Sequence, residues 1–122
     1  VVVKSETKFY HEVKKSLSKI SWIRIENLSL PGTPDLLGCS PRGTFFTVEL
    51  KVTKTNKVRL SPHQIAFHIK HPKNTFILVK TQKPGSVKLY EGSRIKELVA
   101  CGLKLDACCL TLDACRLKLE SL

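Results

Sequence analysis

Apolar residues recur along the chain in two rhythms, and the switch between them marks out the elements. From Ser5 onward, Phe9, Val13, Leu17 and Ile20 return at steps of three and four residues, which lays a single apolar stripe along a helix. Ser5 is the predicted N-cap, because its hydroxyl can accept from a first-turn amide. The rhythm then shortens to two. Trp22 to Ile25, Leu36-Leu37 and Phe45 to Val52 are short runs of apolar, mostly aromatic and β-branched residues, and they predict three strands. Arg24 and Glu26 are interleaved with the first, and its tryptophan reads as core. Ser40-Pro41-Arg42-Gly43 is the hairpin turn joining the second and third. Because side chains alternate across a strand, Phe46, Val48, Leu50 and Val52 share one face, and Thr47, Glu49 and Lys51 share the other.

Further along, Ser61-Pro62-His63-Gln64 opens a second helix that runs to about Lys70 and stops before Pro72. Ser61 is a natural N-cap, Pro62 fits the first helical position, and Gln64 completes a capping box. Thr75 to Lys80 is the clearest buried strand, and a right-handed crossover through the helix places it parallel to its predecessor in one sheet. Lys83-Pro84-Gly85 turns the chain into an edge strand, Val87 to Tyr90. Ser93 then caps a helix through Ala100 that Gly102 stops. Residues 1–102 thus form one α/β core, and residues 103–122 form a short helical extension of the same domain. In that extension Leu105-Asp106-Ala107-Cys108 recurs as Leu112-Asp113-Ala114-Cys115. Two copies are too few for a repeat protein, so the segment either docks on its own core or forms a dimer seam.

Charge changes the picture. The chain carries 21 Lys and Arg against 10 Asp and Glu, a net charge of +11, which suits a polyanionic partner. No apolar run is long enough to span a bilayer, and the first residues are too short for a signal peptide. The lack of any methionine implies that the numbering starts within or just after the true start. Five cysteines, Cys39, Cys101, Cys108, Cys109 and Cys115, make neither an even framework nor a Cys-x-x-Cys pair. They read as reduced thiols serving as small hydrophobes in a cytoplasmic protein. His63, His68 and His71 lack a spacing that favours a metal site.

The chemistry concentrates between Pro34 and Gln64. Pro34 pushes Thr33 towards extended geometry, which delivers Asp35 at the start of the second strand. If that strand pairs with the third, Asp35, Glu49 and Lys51 meet at one spot. Two carboxylates there suit a hard divalent cation, and the ammonium beside them can orient a water or stabilise charge on a phosphoryl oxygen. The basic run Lys54, Lys57 and Arg59 follows directly, an arrangement that fits phosphate contacts. The N-terminus of the second helix, with Ser61 and His63, is a phosphate-binding device in itself. Gly32 lets the preceding loop turn sharply or approach a ligand closely. Glu6 falls within the apolar stripe of the first helix and Glu12 at its edge.

Pro34-Asp35, Glu49-Leu50-Lys51 and Val58-Arg59-Leu60-Ser61-Pro62-His63-Gln64 together resemble the PD-(D/E)XK nuclease superfamily over about residues 5 to 80. The branch they look like joins the VRR-NUC nucleases to archaeal-type Holliday junction resolvases and is similar to phage-encoded homing endonucleases. The resemblance implies a restriction-endonuclease-like αβββαβ core, a mixed sheet flanked by helices. It also implies a metal-dependent endodeoxyribonuclease in which Asp35, Glu49 and the main-chain carbonyl of Leu50 hold magnesium, with manganese as a substitute. Lys51 would position or activate water. A helix-borne acid, Glu6 or alternatively Glu12, would assist at a second metal or through water, and Gln64 would lie close to the cluster. Arg24, Arg42, Lys54, Lys57, Arg59, Ser61 and His63 would contact double-stranded or branched DNA. A homodimer or higher assembly acting in the cytoplasm, that of a bacterial host if phage-encoded, completes the expectation. The substrate is a defined site, as for a homing enzyme, or else a four-way junction. A non-catalytic DNA-binding module and an RNA-directed protein are the readings from other classes.

Overall fold

In the computed structural model, residues 2–25, 30–83 and 86–122 are described. Glu26, the 27–29 part of the loop that follows it and the Pro84-Gly85 turn lie outside the described residues. Phe9, Val13 and Leu17 are fully buried, so the stripe read from the sequence is the packing face of α1 (Val2–Ser16). That helix begins at Val2, four residues before the Glu6 start that a Ser5 cap implies. Ser5 therefore lies inside it and is not its cap; no glycine or proline among residues 2–4 interrupts the helix.

A five-stranded sheet follows in the order β1-β2-β3-β4-β5, with β1 (Ser21–Arg24), β2 (Leu36–Cys39), β3 (Phe45–Val52), β4 (Thr75–Lys80) and β5 (Val87–Glu91). Only β3 and β4 run parallel among these neighbours, because α2 (Pro62–Lys70) carries the crossover between them. On one face, the α1 stripe packs on Leu36, Phe46, Val48, Leu50 and Leu78. Trp22, Phe46 and Phe76 add edge-to-face contacts with ring centroids 5.6 and 6.0 Å apart. The tryptophan is core, and its indole N–H donates to the Leu17 carbonyl at 3.1 Å. On the other face, Ile77, Val79 and Tyr90 pack with Val58, Ile95 and Leu98.

The helix after β5 departs from expectation. A 3₁₀ turn, Gly92–Arg94, precedes α3 (Ile95–Cys101), so Ser93 sits within that turn, and the residue at the α3 cap is Arg94, with no side-chain capping bond. Close packing of Gly92 against Thr75 and His68 holds this turn and overrides the local cap signal. In the extension, α4 (Leu112–Glu120) is capped by Thr111 and turns Cys115 and Leu119 into the α1 side of the core. Its buried stripe is thus used within the chain. Cys109 and Cys115 do serve as small core hydrophobes, whereas Cys101 and Cys108 are exposed.

Candidate active site

The β2–β3 ladder ends at Leu36↔Val48, which leaves Asp35 just beyond the last pair and beside the continuing β3. Two bonds fix it there: the Ile25 amide donates to its carbonyl at 2.7 Å, and its Oδ2 accepts from the Leu50 amide at 2.7 Å. The N–H and C=O of one strand residue point to the same side. The Leu50 carbonyl therefore faces the gap that β2 has vacated.

Glu49 projects from the opposite face of β3 to Leu50 and is only 2% exposed. Its Oε2 accepts from Gln64 Nε2 at 3.1 Å and lies 3.9 Å from Lys51 Nζ. Its Oε1 is buried with no partner. Lys51, two positions on and on the same face, donates to Gln64 Oε1 at 3.0 Å. The capping box is also formed: Ser61 Oγ accepts from the Gln64 amide at 3.2 Å, and the Ser61 amide donates to Gln64 Oε1 at 2.9 Å. One glutamine side chain therefore closes the start of α2 and ties it to both Lys51 and Glu49. The structural and cluster roles expected of Gln64 coexist.

The electrostatics follow from this crowding. Burial, then the charge of Asp35 and the proton that the two carboxyls can share once Glu49 is neutral, push the Glu49 carboxyl up to about 9; Lys51 opposes this and Glu6 adds to it. Glu6, half-buried on α1, is also raised, first by burial and then by Asp35, against the pull of Lys51. Glu12 instead pairs with Lys80, so of the two helix-borne acids it is Glu6 that stands at the cluster. Among the described residues no three His, Cys, Asp or Glu side chains close into a metal-binding group. Glu6 lines one cleft with Lys51 and a second with Asp35, which places it beside the cluster.

The basic residues divide. Lys54, Lys57 and Arg59 line a 310 Å³ cleft together with Lys51 and Glu6. Arg24 lines a smaller adjoining cleft with Asp35 and Glu6, its guanidinium held over the Tyr10 ring and donating to Thr7 Oγ1. Ser61 Oγ is occupied by its cap. His63 is exposed in the first turn of α2, and its carbonyl would lie 2.4 Å from a Cβ at Gly32, where φ is +88°. The close approach expected of Gly32 is therefore to the helix, locking the Asp35 loop onto α2. Arg42 is not brought to the site. It sits on the hairpin at the far end of β2 and β3 and donates to the Ser121 carbonyl, a placement that removes it from contacts around Asp35. Tyr10 was missed; it lies one residue past Phe9 on α1 and only its aromatic character distinguished it in the sequence.

Gln64→Ala is expected to lower the melting temperature by about 3–6 °C, the effect of losing roughly 1 kcal/mol of capping in a domain of this size. It should also slow any metal-dependent cleavage about 10–100-fold, since Lys51 loses its acceptor and Glu49 its donor. Thermal melting and single-turnover cleavage measure the two effects, and wild-type cleavage by a destabilised variant would confine Gln64 to capping.

No protein-family model and no curated protein matches the chain. Among solved structures, that of Hjc from Archaeoglobus fulgidus, described as a Holliday junction resolvase from an archaeal hyperthermophile, is similar with a TM-score of 0.57. The match covers 71% of this chain and 77% of that one at 16% identity. The shared property is the fold: a mixed sheet with flanking helices of the restriction-endonuclease-like kind.

Proposed function

We propose that the chain is a metal-dependent DNA endonuclease with branched DNA as its preferred substrate. The observation that supports this most is the convergence of Asp35, Glu49 and Lys51 at the start of β2, held by main-chain bonds and by Gln64. A hard divalent cation fits the residues present. Glu49 Oε1 is buried without a partner, and two crowded carboxylates beside a main-chain carbonyl are the donor set that magnesium or manganese takes, leaving room for waters. Asp35, Glu49 and the Leu50 carbonyl would hold the ion. Bound there, it supplies Lewis-acid stabilisation of charge developing on a phosphoryl oxygen.

The chain's own residues do the rest. Lys51 Nζ can donate to the attacking water or to a non-bridging phosphoryl oxygen, and Gln64 fixes the rotamer from which it does so. Glu6 stands on the side of the cluster nearest the basic cleft, where it can accept a hydrogen bond from water entering beside the phosphate. Lys54, Lys57 and Arg59 would hold the backbone, a sequence-independent contact. Such contacts suit recognition by shape, and a solved structure that shares the fold is that of a junction resolvase; both favour branched DNA over a defined homing site. Cleavage of two strands would call for a pair of copies.

The test is a substrate panel with magnesium, manganese or EDTA: a four-way junction, its linear arms and a long natural DNA. Paired incisions confined to the junction, and lost in EDTA, are expected. Discrete fragments from the long DNA would move the reading to a site-specific enzyme. Retained binding with no cleavage in either metal would leave a DNA-binding module.

A further inference from the structure

The basic segment after β3 is ordered at three separate places. Its start is tied to the sheet, where the Thr53 amide donates to the Lys80 carbonyl at 3.0 Å. Its middle is closed by its own threonines: Thr53 Oγ1 donates to the Lys57 carbonyl at 2.8 Å, the Thr55 amide donates to Thr53 Oγ1 at 3.2 Å, and the Lys57 amide donates to Thr55 Oγ1 at 3.1 Å. Its end is pinned by Val58, which is buried among Ile95 and Leu98 with Leu103 and Leu105 packed alongside. A run of exposed lysines needs none of this to stay soluble.

A fourth anchor comes from far along the chain. Where α3 ends, Gly102 takes φ +60°, and the next residue, Leu103, donates its amide to the Asn56 carbonyl at 2.7 Å. A Cβ at position 102 would stand 2.1 Å from that same carbonyl oxygen. The turn making this contact is itself held: Lys88 Nζ donates to the Leu103 carbonyl at 2.7 Å, and Tyr90 Oη donates to the Leu105 carbonyl at 3.1 Å. Gly102 thus does more than stop a helix. It admits the tip of the basic loop to contact distance, and Leu103 fastens it there.

Resting on the nuclease reading, we infer that Gly102 is a positioning residue for DNA binding: its turn holds the 53–59 loop as a preformed seat for a backbone phosphate next to the one cleaved. The cleft that Lys54, Lys57 and Arg59 share with Lys51 and Glu6 is the place for that phosphate. A seat already in place spares DNA the cost of ordering a mobile loop. Its loss weakens ground-state binding and leaves the chemistry at Lys51 intact.

The experiment measures binding of a fluorescent four-way junction by anisotropy over a salt series without divalent ion, beside single-turnover cleavage at saturating DNA with magnesium. Gly102→Ala is expected to bind about 10-fold more weakly, with the slope of log K against log salt shallower by about one, the loss of one phosphate contact. Cleavage at saturation should stay within about twofold. Thr53→Val with Thr55→Val opens the loop from inside, away from α3, and should show the same split should Gly102→Ala fail to fold. Folded variants that bind with wild-type affinity and slope overturn the seat alone. A wild-type chain that binds no DNA at any salt removes the nuclease reading and the seat with it.

Discussion

Lys51→Ala is expected to cleave branched DNA on the order of 10²–10³-fold more slowly than the wild-type chain, the usual loss when one preorganised donor to a developing anion is removed. The ammonium is placed for this by two neighbours, Gln64 Oε1 at 3.0 Å and Glu49 Oε2 at 3.9 Å. It is also the positive charge that counters the crowding of Glu6, Asp35 and Glu49. Its removal therefore acts twice: the transition state loses a donor, and Glu49 grips its proton harder, which weakens any cation. A magnesium titration of the single-turnover rate separates the two effects, since the second recovers at high metal and the first does not. Lys51→Arg keeps the charge while changing the donor geometry and should regain the metal affinity before the rate. Cleavage by Lys51→Ala within about threefold of wild type at saturating magnesium would dismiss the ammonium from the reaction.

Why some of this could be read from the sequence and some could not is a matter of distance along the chain. The α1 stripe and the two faces of β3 are local periodicities, so Phe9, Val13 and Leu50 fall where the spacing put them. The Ser61 cap was equally legible, because all of its partners lie within three residues. Ser5 and Ser93 carried similar signals but lost them, one to a helix that starts earlier and the other to the packing of Gly92 on Thr75. Gln64 was legible as a cap; its bonds to Lys51 and Glu49 exist only because the β3–α2–β4 crossover lays the start of α2 over the end of β3. The stripe favoured Glu6 over Glu12, but the pairing that occupies Glu12, with Lys80 on another element, could not be read locally. Arg42 looked like any exposed cation at a turn, and only the length of β2 and β3 carries it away from Asp35.

The proton on Glu49 gives the second large effect. Its folded value of about 9 stands above the ordinary 4.5, so between those limits the folded metal-free chain keeps a proton that the unfolded chain gives up. The folded state then binds more protons, and stability must fall as pH rises through that window. Glu6, also raised, acts in the same sense. The metal-free wild type should accordingly lose roughly 1–3 kcal/mol between about pH 6 and pH 8.5, below the limit of about 1.4 kcal/mol per pH unit for one fully retained proton. Glu49→Gln keeps the volume and an acceptor for Gln64 Nε2 but cannot titrate, and it should match wild type near pH 5 and melt several degrees higher at pH 8.5. Metal reverses the order. A cation must displace the proton, so apparent affinity in wild type should climb about tenfold per pH unit within the window. Manganese should then raise the wild-type melting temperature far more at pH 8.5 than at pH 6, with no such gain in Glu49→Gln. Melting curves of the two proteins across pH, with and without manganese, decide it: superimposable profiles would mean that Glu49 neither holds a proton nor yields one to a metal.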